Sequence, residues 1–228
     1  MYGIDLIVER QITRWQQRSG MHPSESRSRD PVITISRQHG AGGDALGKSV
    51  AAELGFEFWD REVLHEMAEH AHVSERLFES LDEQPKNAIA SIVRAISHSA
   101  DPSYGDYMHE LQRQIRTIAH HGHAVIMGRG AQLIVDPSQS LRIRIVAPLN
   151  QRIQTIAELR GISERDAAQE IQRIDGSHAA FLQQNWGRNI DDPEVYDMVI
   201  NSKTLNFKSA VDAICVAYRD RFDIAPRP

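Results

Sequence analysis

Glycine dominates one short stretch of the chain, Gly40-Ala41-Gly42-Gly43, which runs into Asp44 and Ala45. Such a cluster can expose successive backbone N–H groups and let an anion approach them closely, which is what phosphate oxygens require. The same stretch contains Gly42 to Ser49, GGDALGKS, a full match to the G-x-x-x-x-G-K-[ST] string, whose lysine reaches terminal phosphates and whose hydroxyl holds magnesium. Two overlapping phosphate loops can therefore be read here. The string makes Lys48 the phosphate lysine; a loop starting directly after Ser36 ends near Gly43 and supplies no lysine.

A phosphate loop works only if a strand delivers it and a helix receives it, so the flanking elements decide between the two. Val32 to Ser36, VITIS, is a β-branched run between Pro31 and the glycines, as expected of a buried parallel strand. Beyond the loop, Leu46, Val50 and Leu54 recur every four residues up to Gly55, the stripe of a helix that faces a sheet. The Lys48 register would leave under two turns of helix before Gly55 and would place Leu46 outside it. The register SRQHGAGGDA keeps the whole stripe and begins the helix near Gly43. Lys48 then sits more than one turn into the helix, on its solvated side.

Further along, FEFW opens as a short strand and becomes a helix. Ser74 to Glu83 reads as another helix, and the helical pattern from Pro85 to Arg116 is interrupted by a turn at ADPSYGD. AVIMGRG and LRIRIVA read as buried strands, LNQRIQTIAELRG and SERDAAQEIQRID as helices with Ser163 capping the second, and YDMVINS and NFKSAVDAICVAYRD as a last strand and a closing helix. Strands alternating with helices predict a mostly parallel sheet covered on both faces. Residues 1–31 read as an N-terminal helix, Leu6 to Gln17, followed by a Ser- and Pro-rich linker. That helix is expected to pack on the body, to pair two copies as a homodimer, or to remain a loosely docked arm.

The 228 residues suffice for one α/β domain, here 32–228, and the formal charge of −5 gives no basic field to attract nucleic acid or an anionic membrane. Any anion site must be built locally. A lone Cys215 permits no intrachain disulfide, no run approaches the roughly 18 apolar residues of a membrane span, and the start lacks a signal-peptide pattern, so a cytoplasmic setting is expected. The histidine-rich HEMAEHAH does not form H-E-x-x-H, because Glu69 stands four residues after His65. No metal-ligating set is expected.

Taken together, ITISRQHGAGGDALGKSVAAELGFEFWDRE, VIMGRGA, RIVAPLNQRIQ and YDMVINSKTLNFKSAVDAI resemble, in order, the cytidylate kinase-like family of P-loop nucleoside monophosphate kinases. The resemblance implies a three-layer fold with a five-stranded parallel sheet and a helical lid at about 150–190. It also implies ATP and Mg2+ as cofactors and a small phosphorylated acceptor, CMP or dCMP foremost. Carried over by position, Arg37, Gly40, Ala41, Gly42, Gly43, Asp44 and Ala45 would bind ATP phosphates, with Gly43 where a kinase carries lysine. Asp60, Arg61 and Arg129 would meet the acceptor. Arg129, Arg152, Arg173 and Asp175 would act in catalysis.

Each of these has a plainer alternative. Asp60 also fits a helix cap, Arg129 a loop pin, and Arg152, Arg173 and Asp175 a solvated helix surface. The lid segment RIDGSHAAFLQQNWGR departs from the arginine-rich pattern, offering Arg173 and Arg188, with Gly176, Ser177 and His178 where further cations are wanting. A nucleotide-binding regulatory module that transfers nothing is the competing functional reading.

Overall fold

The structure is a computed structural model that describes residues 31–69 and 102–225, together with positions 8, 9, 12, 13, 86, 87, 89 and 90. Its elements are β1 (Val32–Arg37), α1 (Gly43–Leu54), β2 (Glu57–Trp59), α2 (Arg61–Glu69), α3 (Pro102–His121), β3 (Ala124–Met127), α4 (Ala131–Ile134), β4 (Ser140–Val146), α5 (Leu149–Arg160), α6 (Glu164–Trp186), β5 (Met198–Asn201) and α7 (Phe207–Arg221). The strands form one five-stranded sheet in the order β2-β3-β1-β4-β5, and every pairing is parallel. This is the α/β architecture with a five-stranded parallel sheet expected from the sequence.

Because successive strand residues point to opposite faces, the sheet separates two cores. Ile33, Ile35, Val125 and Met127 face α1 and α7, while Val32, Ala124 and Ile126 face the side carrying Leu64 of α2 and Leu111, Ile115 and Ile118 of α3. A helical layer on each face makes three layers. Val8, fully buried, joins the second core, and Ile12 packs against it. The remainder of the Leu6–Gln17 helix, the linker and the Ser74–Glu83 helix lie outside the described residues.

Helix α1 shows how closely the loop region is packed. Leu46, Val50 and Leu54 are buried as their spacing predicts, and Gly55 closes the helix in the left-handed conformation at φ 66°. Gly47 lies among them, where an added Cβ would come within 2.8 Å of Phe58 Cε2 and 2.9 Å of Met127 Cε. Only glycine lets the helix approach the sheet this far.

Two expectations are corrected. Pro102 to Asp106 of ADPSYGD are not a turn but part of α3, where the missing N–H and fixed φ of Pro102 suit a first helical turn and the helix continues through Gly105. SERDAAQEIQRID does not end near Asp175 either. After the Ser163 cap, α6 runs through Gly176 to Trp186, because Phe181, Leu182 and Trp186 find apolar packing that outweighs the roughly 1 kcal/mol cost of a mid-helix glycine. Cys215 is buried in the α7 core, and burial pushes its thiol up to about 11. It packs as an apolar side chain.

Candidate active site

The loop after β1 is short, and α1 starts at Gly43 with Gly42 as its N-cap at φ 74°. Gly40, at φ 81°, lies so close to α5 that an added Cβ would meet the Arg152 carbonyl at 3.0 Å. At Gly42 an added Cβ would meet nothing within 4 Å. The α1 N-terminus therefore opens into a cavity of about 420 Å³, which Gly40, Gly42, Gly43, Asp44 and Ala45 line. Free N–H groups and the positive end of the helix dipole make this a seat for anionic oxygens. Ala41 does not line it; this residue is buried, and its carbonyl accepts a hydrogen bond from Ser202 Oγ at 2.9 Å.

Lys48 is exposed on α1, with Nζ 5.7 Å from the centre of the Phe58 ring. Arg37 packs its stem against the first residue of α1. A Cβ on Gly43 would fall 2.7 Å from Arg37 Cβ and 2.9 Å from its Cγ, so the bare helix start accommodates the arginine stem. The guanidinium then reaches across, with Nη2 3.3 Å from Asp44 Oδ1 and Nη1 3.0 Å from where a Gly128 Cβ would stand.

Gly128, Arg129 and Gly130 are three successive residues in the left-handed region, at φ 74°, 53° and 71°. The glycines adopt this without cost; Arg129 does not, at roughly 1 kcal/mol, so the turn holds a strained arginine at the carboxyl end of β3. Burial, with Arg61 and Arg37 nearby, holds its guanidinium below the ordinary value against the opposing pull of Tyr107, and its Nε has no partner. Arginine nevertheless stays charged. Gly130 is required in its own right, because a Cβ there would fall 2.5 Å from Trp186 Cη2.

Arg129, Gly130 and Gln132 line a second, smaller cavity of about 110 Å³, walled by Ser177 and Phe181 of α6. The two cavities have three lining residues in common: Arg37, Arg61 and His178. Arg61, the first residue of α2, also pairs with Glu62 at 2.6 Å. Asp60 lies beside it as a helix cap, its Oδ1 accepting the Val63 N–H at 2.8 Å, and lines neither cavity.

The residues expected in the lid divide. Arg152 is buried, not solvated: Nε donates to the Ala147 carbonyl at 3.0 Å, and Nη1 donates to the His39 carbonyl at 3.1 Å and to Asp175 Oδ2 at 2.6 Å. The other Asp175 oxygen accepts the His39 N–H at 2.8 Å, while His39 Nε2 meets Glu170 Oε1 at 2.8 Å. Together they fasten the glycine loop to α5 and α6. Arg173 is exposed on α6 and lines neither cavity. Arg188 pairs with Asp192 at 3.1 Å.

Two residues escape the sequence reading. Arg144, buried on β4, donates to Ser36 Oγ at 2.8 Å and to Asp191 at 3.0 Å; its only signal in the sequence is a charge inside an apolar strand. His178 appears there merely as a place where a cation is wanting. Among the described residues no group of three His, Cys, Asp or Glu could hold a metal ion, and no helix is long and apolar enough to cross a membrane. His65 lies against Tyr107 instead, ring centres 5.6 Å apart.

Residues 32–204 match the cytidylate kinase-like family. The chain is 24% identical to a cytidylate kinase of Ignicoccus hospitalis, over 80% of this chain and 96% of that protein. With a cytidylate kinase of Pyrococcus horikoshii it shares 27% identity over 84% and 90%. A 31% identity to a uronate isomerase of Corynebacterium glutamicum covers 45% of this chain and 20% of that much longer protein. Among solved structures, an uncharacterized protein from Eubacterium ventriosum superposes with TM-score 0.58 at 19% identity, over 84% of this chain and 99% of that one, a likeness of fold.

Proposed function

Because the chain belongs to the cytidylate kinase-like family, we propose that it moves the γ-phosphoryl group of ATP onto the phosphate of a small phosphorylated acceptor, CMP or dCMP first among them. The observation that carries this reading is the junction of the two cavities at Arg37 and Arg61. A donor seated on the α1 N-terminus and an acceptor held at the Gly128-Arg129-Gly130 turn would bring their phosphates together there. Two relatives bearing the name cytidylate kinase support CMP as the acceptor.

In this reading an acceptor phosphate oxygen forms a bond to the γ-phosphorus, the bond from that phosphorus to the β–γ bridging oxygen breaks, and ADP leaves with the electron pair. Charge spreads over the transferred oxygens, so the protein contributes position and positive charge. The Gly40–Ala45 segment would cradle the donor phosphates, with Arg37 supplying the fork that the missing lysine would otherwise replace with a point charge. Arg129 and Arg61 would hold the acceptor. Arg152 and Asp175 act as positioning residues, because their polar atoms hold the loop backbone at His39. Magnesium would arrive with ATP and supply further positive charge; among the described residues no group of three His, Cys, Asp or Glu could hold it, which fits an ion carried by the nucleotide's phosphates and water.

The test is coupled ADP release with ATP, magnesium and CMP, dCMP, UMP or AMP in turn. CMP- or dCMP-dependent turnover is expected. ATP consumption with none of the monophosphates would overturn the CMP assignment, and ATP binding without any turnover would favour the regulatory module.

A further inference from the structure

We propose that His178 is the lid's phosphate ligand: its imidazole takes up a proton when a dianionic phosphate enters the junction of the two cavities, and as imidazolium it holds that phosphate beside Arg37 and Arg61. The proposal rests on the phosphoryl-transfer reading of the site, and it adds a cation that the arginine-poor lid otherwise lacks.

The position of His178 is fixed by its helix. It stands three residues after Asp175, one turn on along the same face of α6, and Asp175 is fastened to the glycine loop and to Arg152. Anchored there, α6 carries the imidazole into both cavities. Its Nε2 is buried and has no hydrogen-bond partner among the described residues. A buried ring nitrogen left unpaired is costly, and the side chain that carries it lines both cavities.

Charged groups converge on the ring from four elements: Arg37 from β1, Arg61 from α2, Arg144 from β4 and Asp175 from its own helix. Arg129, on the turn after β3, lines the smaller cavity with it. Asp175 is already bonded to Arg152 and to the His39 N–H, and the two carboxylates that line the larger cavity with His178, Asp44 and Glu62, are paired with Arg37 and Arg61, so arginines outnumber carboxylates around the ring. Burial first, then Arg37 and Arg61, push His178 down to about 4, and the free protein holds it neutral at pH 7. A dianion among these arginines reverses the local sign of charge and offers the unpaired nitrogen an acceptor. Both changes favour the charged ring. A residue that only filled space would show no such coupling between anion and proton.

The measurement is calorimetric titration of the full chain with sulfate, a dianion that keeps its charge between about pH 6 and 8, where histidine titrates. It is run in two buffers of different ionisation enthalpy. If the bound ring titrates near 7 and the free ring near 4, sulfate affinity falls about tenfold from pH 6 to pH 8, with proton uptake on binding at the acid end. In His178→Gln the uptake and the slope should vanish, which separates this ring from His39 in the larger cavity. In His178→Arg the affinity should stay high and lose its pH dependence. Binding without proton uptake, a slope that persists in His178→Gln, or no sulfate binding at all would each overturn the proposal. ADP release with CMP is followed separately: turnover without proton-coupled binding removes the role of His178 alone, and proton-coupled binding without turnover removes the kinase reading alone.

Discussion

Replacing Lys48 with alanine should leave catalysis almost untouched, and replacing Arg37 should nearly abolish it. Lys48 is five residues beyond Gly43, so an α-helix carries it about 7.5 Å up the axis and about 140° around from the first helical residue. There it is exposed over the Phe58 ring. An exposed contact of this kind contributes about 0.5–1 kcal/mol, and alanine's better helix propensity returns a few tenths. Stability should change by less than about 1 kcal/mol, and ATP affinity and turnover should remain within roughly twofold of wild type. Arg37 differs in every respect. Its stem lies against Gly43 and its guanidinium lines both cavities, so its loss removes a preorganised cation from the point of transfer. Comparable deletions cost about 10²- to 10³-fold in kcat, or about 2.7–4 kcal/mol. Its partner Asp44 is 63% exposed and can be solvated by water, so the fold should lose little. Arg37→Lys should recover part of the rate, keeping charge without the fork. The assay is ADP release on the three variants beside urea unfolding, with ATP affinity measured by titration. A collapse of both ATP affinity and turnover in Lys48→Ala, or wild-type turnover in Arg37→Ala, would refute this assignment.

Gly130→Ala should destabilise the protein by about 2–4 kcal/mol, since the new methyl group would have to displace the Trp186 ring while holding a left-handed backbone; an unchanged urea midpoint would contradict this. His121 provides a test by pH. Burial, and secondarily His120, hold it down to about 3, below its unfolded value of about 6.5. Its contribution is therefore fully present above about pH 6.5 and is lost as the pH falls toward 3, with a slope of up to about 1.4 kcal/mol per pH unit. His121→Phe should flatten that acid limb, and an acid limb identical to wild type would exclude His121 as its source.

The centre of the sheet was legible because β1, β3 and β4 are buried on both faces, and so show in the sequence as largely apolar runs. The glycine-loop register was legible for a related reason: Leu46, Val50 and Leu54 demand a helix long enough to use them. What sequence could not supply was direction. Arg152 and Arg173 lie on the consecutive helices α5 and α6 and look alike as letters, yet one is buried against the loop backbone and the other is exposed. Asp60 shows the same limit, since capping and acceptor binding place an Asp in the same position after a strand. ADPSYGD misled because a proline beside turn-forming residues marks a helix start as readily as a break. Gly176 misled because local propensity gives way to distant packing by Trp186.

The tie between His39 and Asp175 constrains how this molecule can move. With Arg152 and Glu170 it fastens the glycine loop to α5 and α6 through backbone as well as side chains. The loop and the first half of α6 must therefore travel as one body. A lid that swings away from a stationary floor is not open to this chain unless those bonds break together. Widening of the larger cavity falls instead to its other lining residues, such as Arg61, whose ion pair among the described residues is with its neighbour Glu62. Entry and exit of nucleotide would then be timed by a single arginine side chain and not by the hinge of a helix.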